Sequence, residues 1–185
     1  MTKISVIIPC YNEKNTIIQL IDVLNNLQIN KQIILVDDYS NDGTREIIEK
    51  NLTKKVDNVI FHEKNLGKGA CVKTAKEFIL GDIVIIQDAD LEYDPNDYNN
   101  LIKPILEKKT NVVYGSRVLN KFAIPNRSFI SNFRIFGNYL LTKFSNIINN
   151  QKLTDAHTCY KVLTREVFNK IILKEDGFNF CPEIT

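Results

Sequence analysis

Only four cysteines occur in the 185 residues, and none is paired by its spacing. Cys10, Cys71, Cys159 and Cys181 are widely scattered, with no CxxC pair. That excludes a zinc ribbon or a disulfide framework and makes a reduced, cytoplasmic setting the expectation. An excess of one charge is lacking too. The 24 Lys and Arg face 22 Asp and Glu, and a net charge of +2 is too small to argue for nucleic acid. No apolar run approaches the ~20 residues of a membrane span, so any membrane contact is expected to be peripheral. No signal-peptide core follows Met1. The Walker pattern GxxxxGK followed by Ser or Thr is absent, which removes P-loop binding. There is no internal repeat and no low-complexity linker. What remains is an ordinary globular composition, 44% hydrophobic and 25% charged, long enough for one domain with a sizeable core.

Apolar runs at 4–8, 33–36, 83–86 and 112–114 read as buried strands, and a further strand is expected to include Val59, Ile60 and Phe61. Helical patterns fall between them, at about 15–27, 43–53, 69–80 and 96–107. In the first, Ile17, Leu20, Ile21, Leu24 and Leu27 recur at helical spacing. Asp42-Gly43-Thr44 offers a cap and turn before the second, and Asp94-Pro95 opens the fourth. Strands alternating with helices imply an α/β domain with a mostly parallel sheet flanked by helices. A further stretch, 128–148, carries Phe129, Phe133, Phe136, Leu140, Phe144 and Ile147 at helical spacing. It predicts a helix that packs on the sheet, lies along a bilayer, or does both with different faces.

Open parallel sheets bind ligands outside the carboxyl ends of their strands. Polar residues fall at those ends here: Pro9 to Glu13 after the first strand, Asp37-Asp38-Tyr39-Ser40 after the second, and Asn65 to Gly69 after the third. The fourth ends in GDIVIIQDADLEYDP, residues 81–95, and the fifth in Gly115-Ser116-Arg117. Alternation in an extended chain would aim Asp88, Asp90 and Glu92 to one side. Two carboxylates about 5 Å apart repel by roughly 3 kcal/mol at an effective dielectric of 20. A shared proton, a basic side chain or a divalent cation would offset that.

The parts suit a nucleoside diphosphate. Lys68 between Gly67 and Gly69 at a helix start is a place for phosphate. Paired acids with Mg2+ or Mn2+ suit a diphosphate. Tyr11 with Asp37 and Asp38 would bracket a base. A phosphorylated receiver wants its acid pair after the first strand, whereas Asp37-Asp38 follows the second, so that reading is set aside.

The stretches SVIIPCYNE, ILVDDYSNDGT, NLGKG, IVIIQDADLEYDP, VVYGSR and LTDAHTCYKV stand in the order found in family 2 glycosyltransferases. The chain resembles the polyprenyl-phosphate sugar transferases of that family, from residue 4 to the PEIT at 182–185. The resemblance implies a GT-A, Rossmann-like nucleotide-sugar-binding fold and an inverting transfer of a hexose. The donor would be a UDP-glucose or GDP-mannose type of sugar and the acceptor a polyprenyl or dolichyl phosphate. It implies nucleotide-sugar contacts at Pro9, Tyr11, Glu13, Asp37, Asp38, Lys68, Asp88 and Ala89, and Mg2+ or Mn2+ at Asp88, Asp90 and Glu92. Arg117 and Arg127 would hold phosphates, and Asp155 stands where a catalytic carboxylate is proposed. Peripheral placement at the cytoplasmic membrane face follows from the lipid acceptor.

Two departures stand out. Cys181 replaces an acid of the family's FEPEIT stretch, and members continue beyond the position of Thr185. Residues 1–185 are therefore expected to form one catalytic domain truncated at its C-terminus. A non-catalytic nucleotide-sugar-binding module is the alternative.

Overall fold

Residues 2–116, 129–156, 158–177 and 179–185 are described in a computed structural model. Four strands carry the apolar runs of the first half: β1 (Ile4–Cys10), β2 (Lys31–Asp37), β3 (Asn58–Phe61) and β4 (Ile83–Ile86). β1 pairs in parallel with β2 and with β4, and β2 in parallel with β3. β5 (Val112–Tyr114) and β6 (Lys161–Thr164) complete a six-stranded sheet in the order β3-β2-β1-β4-β6-β5. β6 runs antiparallel to both neighbours, so β5 points the same way as the first four. The expected mostly parallel sheet is present.

Alternation along the strands divides the core in two. Val6, Ile8, Leu35, Ile83 and Ile85 face one side, while Ile7, Ile34, Val36, Val84 and Ile86 face the other. Both sides are covered, which is why these strands read as continuous apolar runs. On the first side lies α1 (Ile17–Asn26), which buries Ile17, Leu20, Ile21 and Leu24 at spacings of three, one and three. Beside it come α2 (Thr44–Ile47), continued by one wider π-helical turn at Ile48–Leu52, and α4 (Tyr98–Leu106). The second side is covered by α3 (Lys68–Lys76), α6 (Arg165–Lys170) and α7 (Phe180–Glu183). Each fully buried Ile, Leu or Val contributes about 2 kcal/mol.

The long helix predicted for 128–148 is α5 (Phe129–Asn149). Asn146 clasps the chain after it: its Nδ2 donates to Leu153 O at 2.8 Å and its Oδ1 accepts from Leu153 N at 2.9 Å. Thr142 Oγ1 accepts from Ala156 N at 3.1 Å. These bonds fix the loop that carries Asp155. β6 was not expected from the sequence. Its first residue, Lys161, is buried, with the ammonium donating to Thr158 O at 2.5 Å and lying 5.0 Å from the Tyr114 ring centroid. A lysine inside a buried strand breaks the apolar pattern.

Candidate active site

A cleft of ≈ 310 Å³ opens at the carboxyl ends of β1, β2 and β4, against the start of α3. Strand β1 delivers Pro9, Cys10, Tyr11 and Glu13 to it, and the chain after β4 delivers Asp88, Ala89 and Asp90. Tyr11 is an exposed ring at the mouth. Its neighbour Asn12 has a positive φ of 58°, and ties the first two strand ends together. Asn12 N donates to Ser40 Oγ at 2.9 Å, and Asn12 Oδ1 accepts from Asn41 N at 2.9 Å. Glu13 Oε2 accepts from Thr16 Oγ1 at 2.7 Å, just ahead of α1.

Asp38 lines the cleft, yet its carboxylate is engaged by the protein. Oδ1 meets His62 Nδ1 at 2.7 Å and accepts from Leu66 N at 2.9 Å, and Oδ2 accepts from Gly67 N at 2.7 Å. The residue is therefore a post that holds the loop leading to Lys68. Asp37 points elsewhere: it is fully buried, pairs with Arg45 Nε at 3.1 Å, and does not line the cleft. Arg45 in turn donates to His62 O at 2.7 Å and lies 4.8 Å from the Phe61 ring centroid.

The acids after β4 are arranged differently from the extended pattern read in the sequence. The strand stops at Ile86, and residues 89–93 turn, with Leu91 at a positive φ of 62°. Asp88 and Asp90 reach the cleft through this turn, whereas the exposed Glu92 does not line it. Glu92 N instead donates to Asp90 Oδ1 at 3.0 Å. What offsets the acids is Lys68. Its ammonium makes an ion pair with Asp88 and donates to Cys159 Sγ at 3.1 Å. Burial lowers the Lys68 pKa, but the Asp88 carboxylate and the Cys159 and Cys181 sulfurs together hold the ammonium above its ordinary value.

The glycines beside Lys68 serve packing. A Cβ on Gly67 would stand 2.5 Å from Asp176 O, and one on Gly69 2.3 Å from Glu175 O. Gly67 also has a φ of +99°, which favours glycine. Residues 174–177 thus form a strap pressed on the lysine loop. Ala70 N donates to Asp176 O at 3.0 Å, and Glu183 holds the strap by accepting from Lys174 N at 2.7 Å and Glu175 N at 3.0 Å.

Behind Lys68 lie two thiols, Cys159 and Cys181, the second being the residue that departs from the family's acid. A hydrogen bond from Cys159 lowers the Cys181 pKa against its burial, with help from Lys68 and Lys161, and the same bond raises that of Cys159. The chain separation of 159 and 181 hid this pair. Asp155 is buried ahead of β6, outside the residues that line the cleft. Arg117, Arg127 and His157 lie outside the described residues.

The Asp88 and Asp90 carboxylates are hard oxygen donors open to one cleft, and that donor set fits Mg2+ or Mn2+. Among the described residues, the group of three potential ligand atoms lying within 4.8 Å of one another is Asp38, His62 and Cys71 instead. Its carboxylate is already taken up by the loop amides and His62.

The model of a family described as "Glycosyl transferase family 2" matches residues 5–172. The dolichyl-phosphate beta-glucosyltransferase ALG5A of Trichomonas vaginalis is 30% identical, over 98% of this chain and 59% of its own length. The dolichol-phosphate mannosyltransferase of Pyrococcus furiosus is 31% identical, over 98% of this chain and 52% of its own. The chain thus spans little more than half the length of these curated relatives. Among solved structures, glucosyl-3-phosphoglycerate synthase from Mycobacterium tuberculosis, in complex with Mn2+, UDP and glucosyl-3-phosphoglycerate, superposes with a TM-score of 0.74. It is 19% identical, over 99% of this chain and 63% of that one. At that identity the likeness speaks for the fold, the expected GT-A arrangement.

Proposed function

The chain belongs to glycosyl transferase family 2, and from that membership we propose that it moves a hexose from a nucleoside-diphosphate sugar to a polyprenyl or dolichyl phosphate, with inversion. The observation that carries this reading is the cleft itself. One ring (Tyr11), one cation (Lys68) and the acids Glu13, Asp88 and Asp90 converge where open α/β sheets take their ligands. The names of the relatives, dolichyl-phosphate beta-glucosyltransferase and dolichol-phosphate mannosyltransferase, favour the lipid-phosphate acceptor.

In this reading the ring of Tyr11 flanks the nucleobase and Lys68 serves the diphosphate. Asp88 and Asp90 would hold Mg2+ or Mn2+, whose charge balances the departing nucleoside diphosphate. An acceptor-phosphate oxygen attacks the anomeric carbon as the bond to the diphosphate breaks. A phosphomonoester has its second pKa near ~6, so it is largely dianionic at neutral pH and needs no strong base. Asp155 is accordingly assigned to orienting acceptor or sugar, and Arg117 and Arg127 to gripping phosphate with planar guanidinium groups. Exposed apolar side chains on α5, among them Leu141, Phe144, Ile147 and Ile148, support peripheral contact with the lipid surface. Among the described residues no helix is long and apolar enough to cross a membrane.

The test is a thermal-shift panel of UDP- and GDP-sugars with and without Mn2+, followed by transfer to polyprenyl phosphate. A donor at 100 times its Kd should stabilise the fold by about 2.7 kcal/mol. Failure of every donor to shift the melting curve would refute the reading. A shift without transfer to any lipid phosphate would favour a binding module.

A further inference from the structure

Asp38, His62 and Cys71 come from three elements and meet beside the cleft: Asp38 follows β2, His62 follows β3, and Cys71 lies in α3. All three are buried, and one potential ligand atom of each lies within 4.8 Å of the other two. Tetrahedral zinc, with bonds of about 2.0–2.3 Å, sets its ligand atoms roughly 3.5 Å apart, so shifts of about 1 Å would close this group on an ion. Asp38 and Cys71 also line the cleft, which supplies a way in and a fourth position for water. Protein N–H groups take three of the roughly four acceptor sites on the Asp38 carboxylate. One of those three comes from His62 Nδ1 and is released if that nitrogen turns to a metal. Thr74 makes the turn inexpensive. Its Oγ1 lies 3.0 Å from His62 Nε2, and a hydroxyl either donates or accepts. With the ring proton on Nδ1, His62 donates to Asp38; with it on Nε2, His62 donates to Thr74 and Nδ1 is open to an ion. A metal-bound histidine commonly donates its other N–H in this way.

We propose that Asp38, His62 and Cys71 form a zinc site, different in ligand chemistry from the acids Asp88 and Asp90. A carboxylate oxygen of Asp38, Nδ1 of His62 and Sγ of Cys71 are the ligands. Cys71 binds as thiolate, and its proton passes to solvent. Imidazole with thiolate suits Zn2+, whereas Mg2+ and Mn2+ prefer oxygen. The ion ties the ends of β2 and β3 to α3, beside the loop that Asp38 already holds through Leu66 N and Gly67 N. Thr74 is a positioning residue, acting through the His62 ring. The site does not rest on the reading of the cleft as a nucleotide site.

The experiment adds Co2+ to the metal-free chain, because a cobalt–thiolate bond gives a near-ultraviolet charge-transfer band that oxygen ligands do not. The band should saturate at one ion per chain, disappear on addition of Zn2+, and survive about a hundredfold excess of Mg2+. It should be lost in Cys71→Ser and kept in Cys159→Ser, each checked for native circular dichroism. Thr74→Val removes the hydroxyl while nearly preserving shape, and should weaken Co2+ binding at least about tenfold with the fold intact. No band in the parent chain, or a band that survives Cys71→Ser, would overturn the site. A band lost in Asp90→Asn would overturn it too, by moving the ion to the acids after β4. Unchanged affinity in Thr74→Val would overturn the role given to Thr74.

Discussion

Replacing Asp38 by alanine should unfold the protein at a markedly lower temperature, and the size of the effect separates two roles for this residue. The carboxylate engages three donors at 2.7–2.9 Å: His62 Nδ1, Leu66 N and Gly67 N. Alanine leaves all three without an acceptor in a region where Asp38 and His62 are buried. Each unsatisfied buried donor costs about 1–3 kcal/mol, and water entering from the cleft brings the sum toward the lower end, near ~4 kcal/mol. For a chain of this length each kcal/mol lowers Tm by roughly 2–4 °C, so a fall of about 10 °C is expected. Differential scanning calorimetry supplies the Tm, and hydrogen exchange at Leu66 and Gly67 supplies the local cause. The sequence alone suggested a different job, a carboxylate that faces a nucleobase. An unchanged Tm and unchanged protection at those amides, alongside lost nucleotide affinity, would refute the post-like role.

Gly69→Ala should cost about 2 kcal/mol or more through overpacking, because its Cβ would stand 2.3 Å from Glu175 O; a normal urea midpoint would show that the strap yields. Asp90→Asn should remove most of the Mn2+-dependent thermal stabilisation by UDP or GDP, since Asp90 lines the cleft and is exposed to it; equal affinity in EDTA and in Mn2+ for the parent chain would sink the metal reading. Cys181 should ionise with an apparent pKa of about 6 against the ordinary 9.0, visible as thiolate ultraviolet absorbance that Cys181→Ser abolishes. Between those values the native state binds fewer protons than the unfolded one. The stabilisation from this thiol is therefore complete above 9.0 and lost as pH falls through about 6, and a melting temperature blind to Cys181→Ser across that window would contradict it.

Periodicity made the scaffold legible, because the strands of the first half are buried on both faces and show uninterrupted apolar runs. β6 escaped detection because its lysine is neutralised by geometry, a carbonyl and an aromatic ring, that no local pattern reveals. The cleft was legible as a set of strand ends, and Tyr11, Glu13, Lys68, Asp88 and Asp90 do meet in one place. The jobs within it were less legible. Asp37 and Asp38 are neighbours in sequence, yet one is turned to Arg45 and the other to the loop amides. Gly67 and Gly69 looked like a flexible phosphate loop, and their requirement comes from a strap more than a hundred residues later in the chain. Contacts across such separations leave no trace in spacing or composition.

The charge balance of the cleft then argues for what must accompany a nucleotide. Glu13, Asp38, Asp88 and Asp90 line it, against one ammonium from Lys68. Asp38 is stabilised by its loop amides and Asp88 by Lys68, which leaves Glu13 and Asp90 uncompensated by any cation in that lining. Each further pair of like charges about 5 Å apart adds roughly 3 kcal/mol of repulsion at an effective dielectric of 20. A diphosphate brings two or more negative charges to this lining. Lys68 cannot offset them while it neutralises Asp88, and if it swung to the phosphates it would abandon a half-buried carboxylate. One cation cannot do both tasks. In the proposed reading a diphosphate would enter this cleft together with a further cation, and the hard carboxylate oxygens of Asp88 and Asp90 would suit Mg2+ or Mn2+ in that role.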